Sequence, residues 1–130
     1  MPIKPGLKNE ITHIVAESDT ATVYGSGLAP VLSTPHLIAL MENVAQTMLT
    51  SYLEPGQSSV GTSIDMRHLA ATPVRMSVRV RAEVTEVALP RVCFYVEAWD
   101  DVEKIGEGKH ERFIIDCERF MARVARKQGV

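Results

Sequence analysis

One long stretch of this chain, from Pro35 to about Leu53, repeats its apolar residues at helical spacing, and most of the chain beyond it alternates with a period of two. Leu37, Leu40, Met41, Val44, Ala45, Met48, Leu49 and Tyr52 form a broad apolar stripe on that helix. Ser33 or Thr34 suits the N-cap, because either hydroxyl can accept from an unpaired amide of the first turn. Pro35 stands at the first helical position, where its missing N–H costs nothing, and Pro55-Gly56 stops the run.

The remainder reads as strands. Val60, Thr62, Ile64, Met66 and His68 fall on one face, with Gly61, Ser63, Asp65 and Arg67 on the other. After a break at Thr72-Pro73, Val74, Met76, Val78, Val80, Ala82 and Val84 alternate with Arg75, Ser77, Arg79, Arg81 and Glu83, the pattern of an antiparallel strand wet on one side. A turn near Leu89-Pro90 leads into Arg91 to Trp99, and Asp100-Asp101 turns again into Lys104 to Ile115. Upstream, Leu7 to Ala16 and Thr20 to Tyr24 read as strands from their β-branched residues, before a loop marked by Gly25-Ser26-Gly27 and Pro30. Asp116 suits the cap of a short last helix carrying Phe120, Met121 and Val124 on one side. A long helix and a curled antiparallel sheet bury each other most simply if the sheet wraps the helix, so the expected architecture is α+β. Gly106 and Gly108 share a strand face, which lets the sheet bend or a neighbour approach closely.

The 130 residues suit one domain spanning the chain, with 45% hydrophobic and 23% charged residues as in a soluble globular protein. A net charge of −2 gives no reason to expect nucleic acid. The basic group Arg119, Arg123, Arg126 and Lys127 reads as a solvated helix face or a local anion site. Cys93 and Cys117 have no zinc-type spacing and are expected to be free thiols in a reduced compartment. With neither a signal-peptide-like stretch nor an apolar run long enough for a bilayer, a cytoplasmic protein without a membrane partner is expected.

Glu42 carries the sharpest chemical signal. It is the only formally charged side chain between Asp19 and Glu54, and on a helical wheel it falls beside Leu49 and Leu53, inside the edge of the apolar stripe. Its neighbours Ile38, Ala39, Ala45 and Gln46 offer no positive charge, so the carboxylate must find a distant partner, stay protonated or reach solvent. His68 ends the apolar face begun by Val60, either as a core histidine or as the acid–base partner of Glu42. Thr34 lies at the helix start, as an N-cap or beside amides able to hold an oxyanion. His110 and Arg112 share a face with Gly106 and Gly108; Arg112 serves either to position a carboxylate or to form a structural ion pair. His13 and His36 read as surface residues. No Gly-rich phosphate loop, nucleophile-elbow motif or metal-ligand cluster is visible, so neither metal nor cofactor is expected.

Taken together, Thr34-Pro35-His36-Leu37-Ile38-Ala39-Leu40-Met41-Glu42 resembles the helix of hot-dog thioesterases related to fluoroacetyl-CoA thioesterase, with Thr and Glu at the family's separation. Tyr52-Leu53-Glu54-Pro55-Gly56 continues the resemblance. Gly61-Thr62-Ser63-Ile64 through His68, followed by Ala70-Ala71-Thr72-Pro73, is similar to the family's histidine strand. Gly108-Lys109-His110-Glu111-Arg112 and Glu118-Arg119-Phe120 resemble its late strand and closing helix. The resemblance implies a hot-dog fold, a homodimer joined sheet edge to sheet edge with sites near the interface, and hydrolysis of a small acyl-coenzyme A thioester. It implies Thr34, Glu42 and His68 as the catalytic set, a backbone donor at Gly61, and Arg112 positioning Glu42 or the attacking water. The segment before the helix departs from the family. In the fluoroacetyl-specific enzyme it is longer and carries lid phenylalanines, whereas Tyr24 to Leu32 here is short and has none. The resemblance therefore carries the core chemistry but not the lid-based selectivity. Two other readings use the same residues: a non-catalytic domain binding acyl-CoA or a small hydrophobic ligand, and a hydroxyacyl-thioester dehydratase.

Overall fold

The computed structural model describes residues 2–129. Strands β1 (Lys8–Ile14), β2 (Gln57–His68), β3 (Ser77–Ala88), β4 (Arg91–Trp99) and β5 (Lys104–Asp116) form one antiparallel sheet in the order β1-β3-β4-β5-β2. The helices are the single turn α1 (Ala21–Tyr24), the long α2 (Thr34–Thr50) and α3 (Cys117–Ala125).

Leu37, Leu40, Met41, Val44, Ala45, Met48 and Leu49 of α2 are buried. They meet Val78, Val80, Ala82 and Val84 of β3 and Val92, Phe94, Val96 and Ala98 of β4 in one core. Full burial of each large aliphatic side chain is worth roughly 1.5–3 kcal/mol. A one-residue slip of β3 would exchange those valines for Arg79 and Arg81, so the register is strongly specified. The sheet wraps the helix as the patterns require.

At the start of α2 the Ser33 hydroxyl accepts from the His36 amide at 3.1 Å. Ser33 is thus the cap, and the Thr34 hydroxyl is free for another partner. The helix ends at Thr50, short of Leu53; Tyr52 and Leu53 continue as a turn whose amides donate to Leu49 and Thr50 carbonyls.

Three expectations are corrected. Thr20 to Tyr24 is not a strand: Thr20 makes a single isolated antiparallel bridge to Leu32, and Ala21–Tyr24 then closes one helical turn on left-handed Gly25, whose amide donates back to Ala21 and Thr22. Strand β3 begins at Ser77 rather than Val74, since Arg75 adopts φ +76° and breaks the extended run. In β2 a bulge between Gly61 and Ser63 changes the phase of the alternation. Ser59 and Gly61 face the helix ahead of it, and Ile64, Met66 and His68 after it. Thr62, expected inward, instead donates from its hydroxyl to the outward Glu111 carboxylate at 2.7 Å.

Gly106 and Gly108 do allow close approach. A Cβ at Gly106 would lie 3.0 Å from Leu37 Cδ2, and one at Gly108 would enter the backbone of β2 at Asp65 and Met66. Asp116 caps α3 by accepting from the Arg119 amide at 3.0 Å. That helix buries no residue, and Met121 and Val124 stay exposed.

Candidate active site

The distant partner that Glu42 requires is Arg112, 70 residues along the chain on β5. Its Nη1 donates to Glu42 Oε2 at 3.2 Å. Arg112 is only 5% exposed, and Ser59 anchors it twice, through Oγ to Nε at 2.9 Å and through its carbonyl to Nη2 at 3.1 Å. The Glu42 side chain, by contrast, is 43% exposed. Gly61 explains the opening: a Cβ there would collide with Glu42 Oε2, and Arg112 Nη1 and His110 Cε1 lie just behind. The bulge in β2 is what turns this glycine toward the carboxylate.

His110 completes the support. Its Nε2 lies 3.2 Å from Arg112 Nη1 and its Nδ1 2.8 Å from the Ser63 carbonyl. Guanidinium only donates and a carbonyl only accepts, so both bonds form when His110 is neutral and protonated on Nδ1. Burial pushes the His110 imidazole below its ordinary value, and the Arg112 charge acts in the same direction against a weaker opposing pull from Ser63 and Glu42. Burial likewise lowers Arg112, opposed by Glu42.

Thr34 and His68 form a second group at the start of the helix. Thr34 Oγ1 and His68 Nδ1 are 2.8 Å apart. Burial lowers the affinity of His68 for a proton, with a backbone contact at Ala70 opposing, so the ring is neutral near pH 7. Its Nε2 is buried and has no hydrogen-bond partner among the described residues. A cleft of about 390 Å³ opens beside the pair, lined by Ala21, Ser26, Val31, Ala70 and Ala71 among others. Few amides of the helix start remain for an oxyanion: Pro35 has none, and those of His36 and Leu37 donate to Ser33. The Thr34 amide is left.

The structure thus brings Glu42 together with Arg112 and Gly61, and Thr34 together with His68, but forms no hydrogen bond between Glu42 and His68 among the described residues. Thr34, Ile38 and Glu42 lie on one ridge of α2, so the two groups are about 12 Å apart along the axis. Helical side chains lean toward the N-terminus, which brings the carboxylate part of the way back over Ile38.

Sequence reasoning missed a third group. Asp19 is buried and accepts from His13 Nε2 at 2.7 Å and from the Ala16 amide at 2.8 Å, with His36 Nε2 3.2 Å from its other oxygen. Burial would raise the Asp19 carboxyl, but the Ala16 and His13 bonds and the two imidazoles outweigh it and hold it below the usual range. His13 and His36, expected at the surface, are both drawn onto this acid. Their spacing carries no signal, because the contact depends on the path taken between β1 and α2.

One long helix wrapped by a five-stranded antiparallel sheet, with an acid and an imidazole along that helix, defines a hot-dog thioester hydrolase. The sequence pattern of the fluoroacetyl-CoA-specific thioesterases matches residues 15–118. A fluoroacetyl-CoA thioesterase from Streptantibioticus cattleyicolor is 42% identical over 97 residues, 75% of this chain and 70% of that protein. The solved structure of the fluoroacetyl-CoA thioesterase FlK is 34% identical and superposes with a TM-score of 0.93, covering 98% of each chain. A thioesterase superfamily member from Thermus thermophilus is 28% identical with a TM-score of 0.91, covering 98% of this chain and 95% of that one. The chain belongs to the fluoroacetyl-CoA-specific thioesterase family.

Proposed function

We propose that this protein hydrolyses small acyl-coenzyme A thioesters in the cytoplasm as a homodimer, with Glu42 as the reacting carboxylate. The observation that carries the reading is an acid held from behind by a buried guanidinium while its outer face stays open over a glycine. What sets this carboxylate apart from the exposed ion pairs of the sheet is that its partner, Arg112, is buried and fixed by Ser59.

The thioester carbonyl lies over Ile38 between the two groups. Glu42 either attacks it, forming a C–O bond as the C–S bond breaks, or removes a proton from the attacking water. In the first route water then cleaves the acyl-enzyme and restores the carboxylate. Arg112 fixes Glu42, and the backbone amide at Gly61, beside that carboxylate, is the donor placed to hold the developing oxyanion. The coenzyme A sulfur leaves as a thiolate and takes its proton from solvent by way of His68, whose neutral ring, hydrogen-bonded to Thr34, first accepts that proton and then passes it on. The edge position of β2, which bears both Gly61 and His68, supports pairing with a second copy there, because a long unpaired edge otherwise invites association. Two free thiols support a reducing compartment. The small residues of the cleft and the absence of phenylalanine from Tyr24 to Leu32 support an acyl site not restricted to fluoroacetate.

The test is a panel of acetyl-, halogenated acetyl- and longer acyl-CoA substrates, with released thiol measured under steady state. Repeated turnover on small acyl groups, with little preference for the fluorinated one, is expected. Tight binding across the panel without thiol release would refute the proposal.

A further inference from the structure

We infer that His13, Asp19 and His36 form a binding site for one divalent transition-metal ion of the zinc type, separate from the hydrolytic residues. Their ligand atoms, two imidazole nitrogens and a carboxylate oxygen, all lie within 4.8 Å of one another. An N,N,O donor set of this kind suits zinc, cobalt or nickel rather than calcium or magnesium. In a tetrahedral site with metal–ligand bonds of about 2.0–2.1 Å, neighbouring donor atoms stand about 3.3 Å apart. The His36 Nε2–Asp19 Oδ1 separation is 3.2 Å and the His13 Nε2–Asp19 Oδ2 separation 2.7 Å; because the two rings face different oxygens of the carboxylate, an ion held by all three residues needs the carboxylate to rotate toward one shared oxygen or to bind through both.

The surroundings are those of a held ligand set. Metal-bound imidazoles almost always have their second nitrogen tied to an outer partner, which fixes ring orientation and tautomer. His36 Nδ1 has such a partner in the Tyr24 hydroxyl at 2.8 Å. If Nδ1 donates to that hydroxyl, the Nε2 lone pair can point toward the carboxylate and be shared with a metal ion. Asp19 is held by the Ala16 amide, and its side chain is 6% exposed, while His13 and His36 keep 31% and 19% of theirs open, enough for an ion to enter. Three ligands leave a fourth position for water. Each ligand comes from a different element: β1, the turn after it, and the first turn of α2. A bound ion would therefore clip together both ends of the segment that runs from Thr20 to Thr34, fixing the helix start that presents Thr34. Ion binding here is independent of the hydrolase reading.

The experiment uses untagged full-length protein stripped with a chelator, titrated with Co²⁺ for its visible d–d absorption and with Zn²⁺ by calorimetry, alongside thermal melts. One equivalent of each metal should bind, and Zn²⁺ should raise the melting temperature. His13→Gln and His36→Gln should each abolish both effects. Tyr24→Phe, which leaves all three ligands in place and tests the site even if a histidine variant folds poorly, should weaken affinity about 10- to 100-fold. The inference is overturned if the stripped protein binds no stoichiometric metal. It is equally overturned if binding survives Tyr24→Phe and both histidine changes undiminished but is lost when Cys93 and Cys117 are replaced by Ser.

Discussion

Replacing Gly61 with Ala adds one methyl group at the point where β2 faces the carboxylate. The new Cβ would overlap Glu42 Oε2 while standing 3.3 Å from Arg112 Nη1 and 3.4 Å from His110 Cε1. Arg112 and His110 are buried and hydrogen-bonded in place, so the flexible and half-open Glu42 side chain is the one that yields. Relieving the overlap moves the carboxylate by about 1 Å, and a misplacement of that size costs on the order of 100-fold in rate. The stability cost is far smaller. The Glu42 end of the pair is 43% exposed and shifts without leaving Arg112, which keeps both Ser59 bonds, so the loss is roughly 0.2–1 kcal/mol after solvent screening, and Gly→Ala within a strand returns about 0.5–1 kcal/mol. The melting temperature should therefore move by no more than about 5 °C. Steady-state thiol release and a thermal melt on the same preparation decide the matter. Turnover within threefold of the parent protein, at an unchanged melting temperature, would show that the open position at Gly61 does not matter to the chemistry.

The same geometry has other consequences. Burial depresses His68 and His110, so the unfolded chain binds more protons than the folded one as pH drops through 6.5; stability should be full above that value and fall as pH descends from it toward the folded values, as melts from about pH 8 to about pH 5 will show. The acid limb of kcat/KM should likewise lie below 6.5, and a limb near pH 7.5 would contradict a neutral His68. Gly108→Ala forces the β2 and β5 backbones apart and should destabilise by about 1–3 kcal/mol, read by denaturant unfolding; a neutral result would mean the strands are less closely apposed. Thr34→Val removes the hydroxyl on His68 but leaves the Ser33 cap, so kcat should fall by at least tenfold while the melting temperature shifts by less than about 5 °C.

The helix and core were legible because their signal is local and repeated. Every one of Leu37, Leu40, Met41, Val44, Ala45, Met48 and Leu49 is buried as its spacing requires, and β4 spans Arg91–Trp99 as expected. Glu42 was legible as a charge without a local partner. Arg112 was only a candidate for it, since strand alternation gives the face a residue occupies but not the element it meets. What the sequence hid depends on interruptions and on long-range paths. A single extra residue in β2 reversed the face of Gly61, and no composition cue marks that bulge. The β-branched stretch at Thr20–Tyr24 looked extended because strand preference is partly a preference for neighbours, and here the pairing stops after the single bridge from Thr20 to Leu32. The group at Asp19 needed the chain to fold back between β1 and α2 before its histidines could be seen together.

The most direct test replaces the Glu42 carboxylate with an amide of the same shape. Glu42→Gln keeps an oxygen for Arg112 but can neither attack a thioester nor take a proton from water, so coenzyme A release should fall by about 100- to 10,000-fold while the protein melts within a few degrees of the parent. Undiminished release from the folded variant would mean that the chemistry resides elsewhere.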